Sequence, residues 1–253
     1  MKSTAKKTFW EALKATYSDT ARFCVAFPLL LLLPVTFEFM QHLAEIHIGM
    51  YDSITMAKAV EHHPVRMVFG LLKIAALIIP GFWVARFLGL RDRSRVTRLE
   101  QPALRLSARV FAFSMLTSAI SLFFVPLTGA LQLPLMIGWM VAGFLFAAWS
   151  AAAPLGNAEI GISKSIAVML PRLPWSVAFG ITAFMPLMIP HYVLGALALL
   201  GPHAILWPTL IADALLVGPL TVLLAASNFH IAVRALGGIP TGAEPDFAAN
   251  TSA

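Results

Sequence analysis

The chain has 253 residues, 59% from the hydrophobic set and 12% charged, with a mean hydropathy of +0.81. An ordinary soluble domain is roughly 45–50% apolar and about 25% charged, so the composition excludes an ordinary soluble core and indicates a bundle facing lipid. The net charge of +6 resides in basic residues that flank apolar segments, which points to anionic lipid headgroups and away from nucleic acid.

Residues Thr4 to Ser18 place Phe9, Leu13 and Tyr17 at i, i+4 and i+8, with Lys6, Lys7, Glu11 and Lys14 elsewhere around the helix. That pattern predicts an amphipathic segment lying in the headgroup region before the first span. The apolar run Phe23 to Met40 is longer than a signal-peptide core and precedes no small-x-small cleavage pattern, so it reads as a retained span. Cys24 lies in this run; the only cysteine, it offers neither a disulfide framework nor a thiol metal site and reads as an inert buried thiol.

A helix crossing about 30 Å of hydrocarbon needs roughly 20 apolar residues. Six stretches qualify, at 22–41, 66–86, 109–128, 133–153, 175–199 and 204–226, giving an all-α, polytopic membrane bundle over 1–236. Thr128 to Pro134 and Leu200 to His203 are read as short turns between antiparallel helices. Pro28, Pro34, Pro80, Pro126, Pro186, Pro190 and Pro219 lie in or beside spans and predict bent helices.

Lysine and arginine near span ends set orientation. Lys2, Lys6, Lys7 and Lys14 precede the first span, and Arg86, Arg91, Arg93, Arg95, Arg98, Arg105 and Arg109 crowd the second connection. Lys164, Arg172 and Arg234 fall on the same side, against Lys58 and Arg66 on the other. Both termini are therefore expected in the cytoplasm, with Lys6, Lys7, Lys14, Arg91, Arg93, Arg95 and Arg98 touching lipid headgroups. Residues 94–109 and 158–172 resemble the N-terminal segment, suggesting three units of an interfacial helix and a hairpin. The segment 237–253 is small, polar and proline-containing, and reads as a disordered cytoplasmic tail.

Ionisable groups at membrane depth are costly and often functional. Glu38, Lys73, His191 and Asp213 stand out, all in the outer half of the predicted spans. Two readings are open: a polar cavity in which Lys73 faces Asp213 or Glu38, or a dry ion pair joining helices. Gln41 to Val65 reads as a solvated or interfacial outer loop, whose His42, His47, His62 and His63 lack the spacing of a designed metal site. No phosphate-binding, dinucleotide-binding or nucleophile-elbow motif occurs. Asn157 and Glu159 are expected to cap the following helix. The small residues Gly138, Ala142, Gly143, Ala147 and Ala148 suit close helix packing.

The stretch from Gly143 to Leu197 joins a small-residue segment ending in Pro154 to a loop with Glu159, a short helix with Ser165, and a turn into a long span at Trp175. In this it resembles the YciC-like group of six-span inner-membrane proteins and the membrane domain attached to some glycerophosphoryl diester phosphodiesterases. The resemblance implies an envelope protein without an established catalytic role. The expectation is a non-enzymatic inner-membrane factor in envelope or lipid homeostasis, or a partner of another membrane protein, with no cofactor. The alternative is a small transporter or channel component with a polar cavity around Lys73 and Asp213. An intramembrane enzyme acting on a lipid headgroup is the third reading.

Overall fold

A computed structural model describes residues 8–90, 92–123 and 132–241, excluding the side chains of Arg93, Gln132, Leu133 and Met136. Lys2, Lys6, Lys7, Arg91, Pro126, most of the predicted turn at 128–134 and most of the tail lie outside the described residues, as does the Arg93 side chain. The described chain is helical throughout: α1 (Phe9–Ala26), α2 (Pro28–His47), α3 (Ile54–Ala59), α4 (Pro64–Leu90), α5 (Arg93–Thr97), α6 (Gln101–Phe123), α7 (Gln132–Leu145), α8 (Ala147–Ala152), α9 (Ile162–Met169), α10 (Leu173–Leu200) and α11 (Leu206–Leu236).

α1 begins at a capping box in which the Glu11 backbone N–H donates to Thr8 Oγ1 and the Thr8 N–H donates to Glu11 Oε2. It buries Leu13, Thr16, Thr20 and Phe23 in one stripe. α1 runs on past Ser18 and stops at Phe27, because a residue before proline is pushed out of helical geometry and Pro28 opens α2. The first span is therefore Pro28–His47 and not 22–41. A hydropathy window is blind to this break, since both sides of it are apolar.

Five helices are long and apolar enough to cross a bilayer, and a sixth crossing exists if the bent pair Ile137–Leu145 and Ala147–Leu155 is one span. The segments at 66–86, 175–199 and 204–226 match α4, α10 and α11; α4 and α10 extend beyond them at both ends, and α11 starts at Leu206 and runs on to Leu236. The predicted 109–128 span starts earlier, at Gln101, so residues 101–109 form no separate interfacial helix. Pro102 sits in the first turn, where its missing N–H costs nothing. The predicted 133–153 span is bent by 45° at Phe146. Ser165 of α9 spans that break: its Oγ donates to the Leu145 carbonyl at 2.7 Å and accepts from the Trp149 N–H at 3.1 Å.

α11 is the central helix, packed against α1, α2, α4, α8, α9 and α10. Gly218 permits its approach to α2; a Cβ there would meet Val35 at 3.1 Å. α6, in contrast, buries only Ala103 among its described residues. One end of the bundle gathers α1, α5, α9 and the C-terminal end of α11. There Asp19 of α1 accepts from His230 of α11 at 3.0 Å, and the Arg234 guanidinium lies 4.3 Å from the Trp175 ring centroid. This is the basic end.

At that end Arg86 is fully buried. It donates to the carbonyls of Arg95, Val96, Arg98 and Pro154, at 2.6 to 3.3 Å, and lies 3.5 Å from Glu100. Lys14, Arg95 and Arg98 are exposed. Asn157 and Glu159 do not cap α9, whose N-cap is Gly161 without a side-chain bond. Instead Asn157 Oδ1 accepts from the Glu159 N–H, and its Nδ2 donates to the Thr241 carbonyl.

Candidate functional site

The sequence E-F-M-Q-H-L-A-E places Glu38, Gln41, His42 and Glu45 at intervals of three and four, which puts all four on one face of α2. That face turns inward, leaving them only 2%, 7%, 6% and 4% exposed. α4 contributes Lys73 and Arg66, two turns apart on one side; α10 contributes His191 and α11 contributes Asp213. Charged groups at this depth persist only when each finds a partner, and the contacts supply them.

Lys73 Nζ lies 3.2 Å from Glu38 Oε1 and 3.1 Å from Oε2. Asp213, 2% exposed, faces two imidazoles: His191 Nδ1 is 2.6 Å from Oδ1 and His42 Nε2 is 3.2 Å from Oδ2. His42 Nδ1 lies 3.4 Å from Glu45 Oε2. Glu45 also accepts from Tyr51 Oη at 2.7 Å, from Gln41 Nε2 at 2.8 Å and from Arg66 Nε at 3.0 Å. Tyr51 stands in the turn beyond α2, where burial and the neighbouring Glu45 carboxylate hold its hydroxyl above the usual phenol range. It therefore acts as a donor.

All four ionisable residues singled out from the sequence meet in this cluster. Lys73 pairs with Glu38, and Asp213 pairs with histidines. Glu38 is not near the outer end of its span but close to the middle of α2. Assigning 41–65 to an outer loop missed Gln41, His42, Glu45 and Tyr51 as members of the cluster, and Arg66 was read only as a basic residue at the border of the second span. Helix α2 in fact continues to His47, and α3 occupies part of the remainder. The signal was present as a polar stripe of helical period, but a hydropathy average registers those residues only as a fall in apolarity. His42 belongs to the cluster, whereas His62 and His63 precede α4 in the connection.

One ligand atom each from Glu38, His191 and Asp213 lie within 4.8 Å of one another, a loose set that could hold a metal ion. Their donors are committed elsewhere: an ammonium sits on Glu38, and His191 is hydrogen-bonded to Asp213. Polar groups thus join α2, α4, α10 and α11 in a continuous network. Groups of this kind can hold and pass protons.

A second feature lies apart from this network. A cavity of about 860 Å³ runs between α4, α6, α7, α8 and α11, walled by Phe82, Trp83, Phe111, Trp139 and Trp149. None of Glu38, Lys73, His191 and Asp213 lines it. Serines line it along α6, at Ser107, Ser114, Ser118 and Ser121, and on α8 at Ser150. Ser107 Oγ is buried without a hydrogen-bond partner among the described residues.

The fold and the network define an all-α, multi-pass membrane protein with an ionisable cluster inside the bundle. No family profile, no curated protein and no solved structure matches the chain.

Proposed function

We propose that this protein is a non-enzymatic inner-membrane factor of lipid homeostasis, in line with its YciC-like sequence pattern, and that it holds a bilayer lipid in the cavity beside α6. The observation that carries this reading is the cavity itself. Its volume lies within the roughly 300–1,000 Å³ usual for small-molecule sites. Its walls are segments that cross the bilayer, so hydrocarbon chains are the nearest apolar occupant. The exposed Arg105 and Arg109 flank the lining residues Leu104, Ser107 and Ala108 on α6, which suits an anionic headgroup at the basic end. The gathering of lysine and arginine on this side supports cytoplasmic termini, and with them an anionic leaflet at this end.

Native mass spectrometry of the purified protein tests the reading. Wild type is expected to retain phospholipid, and Gly143→Phe or Ser118→Trp to lose it while circular dichroism stays unchanged. A Cβ at Gly143 meets nothing within 4 Å, so the new ring has room to enter the cavity. Lipid retained equally by the filled variants would defeat the proposal.

The intramembrane cluster favours a second reading, a small transporter or channel component. Ion or proton flux across liposomes containing the protein, lost in Asp213→Asn, would select it.

A further inference from the structure

His42 has a carboxylate at each ring nitrogen. Nε2 lies 3.2 Å from Asp213 Oδ2 and 3.7 Å from Glu38 Oε1, and Nδ1 lies 3.4 Å from Glu45 Oε2. Tyr51 Oη is 3.3 Å from Nδ1, but its single proton is directed to Glu45 at 2.7 Å. A neutral imidazole offers one donor and one acceptor, and an ionised carboxylate only accepts. With a neutral ring, one nitrogen lone pair would point at a carboxylate oxygen inside the bundle. A ring protonated at both nitrogens donates on both sides.

Charge arithmetic calls for one more proton in the cluster, and the two-sided geometry of His42 assigns it to that ring. Glu38, Glu45 and Asp213 bring three negative charges to the cluster; Lys73 and Arg66 bring two positive ones. His191 Nδ1 lies 2.6 Å from Asp213 Oδ1 on one side only, a contact that needs a single ring N–H. One further positive charge closes the balance, and a divalent ion in its place would overshoot. An uncompensated charge in a membrane interior is expensive.

We propose that this cluster is an intramembrane proton-binding site, with His42 as an imidazolium clamped between Glu45 of its own helix and Asp213 of α11. The groups facing it are Glu38 and Glu45 from α2, Asp213 from α11 and Tyr51 from the turn after α2. Lys73 and Arg66 of α4 and His191 of α10 act one contact further out. On release, the Nδ1–H bond breaks and the proton passes to a Glu45 oxygen, then to water beyond Tyr51; the electron pair stays on the ring. The Nε2–H still donates to Asp213 of α11, but that bond loses its charge assistance, so proton occupancy controls how firmly the two helices are joined. The site is independent of the lipid cavity and of the reading built on it.

Nuclear magnetic resonance of the full chain, labelled with ¹⁵N-imidazole histidine in lipid nanodiscs, reads the protonation directly. At neutral pH one histidine, absent from His42→Gln, is expected to show both nitrogens protonated. In Glu45→Gln the same ring is expected to become neutral, which assigns the signal even if His42→Gln fails to fold, because Glu45 touches His42 and Asp213 stands between the two histidines. Raising the pH is expected to lower the thermal stability of wild type over the range in which that proton leaves, because only the folded state holds it so. A neutral His42 in wild type would overturn the proposal. So would stoichiometric binding of zinc alone, lost in His191→Gln, since that would make the cluster a metal site.

Discussion

At Glu38 and Lys73 two charges share one contact, with side-chain exposures of 2% and 21%. Removing the ammonium leaves a carboxylate buried beside His42, whereas removing both charges leaves a neutral contact. Lys73→Met is expected to lower stability by about 1–3 kcal/mol, the cost of stranding a buried polar group and not the larger figure for a dry interior. Glu38→Gln in the same chain is expected to restore part of it, and Asp213→Asn is not, because Asp213 is held by the two histidines. Unfolding in detergent mixtures, read as a double-mutant cycle, checks the pairing. A cycle showing no coupling between positions 38 and 73 would dissociate them. The sequence was sufficient to single out Glu38, Lys73, His191 and Asp213, since isolated charges in apolar runs demand partners. It could not assign the pairings, because they depend on how α2, α4, α10 and α11 are rotated about their axes.

At the scale of elements, single side chains close places where the helices stop. Arg86 gathers the carbonyls of Arg95, Arg98 and Val96 around α5 and that of Pro154 after α8, tying two separate segments to the end of α4. Arg86→Leu fills similar volume but leaves these acceptors in a buried site. A loss of at least about 3 kcal/mol is expected from several stranded carbonyls, with protease cleavage appearing first in the 92–100 connection. Unchanged resistance to proteolysis would show that the carbonyls find other partners. Charge counting treated Arg86 as one more basic residue of a cytoplasmic connection. Its burial arises from the return of Pro154 to the same place, a contact 68 residues distant in sequence. Ser165 is comparable. The resemblance marked it, but its contact with Leu145 and Trp149 across the bend shows a packing role that a motif does not contain.

On the scale of the molecule, α11 is surrounded and α6 is peripheral, and this asymmetry opens the cavity between them. α1 lies against α10 and α11, with Phe9 edge-on to Trp175 and Phe179 and Tyr17 donating to the Ala183 carbonyl. The beginning of the described chain therefore lies at the same end as the C-terminal turn of α11. Reporters fused to the two termini are expected to report one compartment, as an even number of crossings requires. Opposite compartments would mean that the bent α7–α8 pair enters and leaves by the same face.

Length and apolarity by themselves determined the all-α membrane class and the approximate course of most crossings, because lipid forces every backbone group to be satisfied within its own helix. The break at Phe27, the bend at Phe146 and the depth of Glu38 required the packed structure. Each depends on local backbone geometry that averaging over apolar residues removes. Only tertiary contact decided that His42 stands between Glu45 and Asp213 and that α6 leaves a cavity open beside it. Helix rotation and lateral placement are set by side-chain fit among all the helices together, and no single segment encodes them.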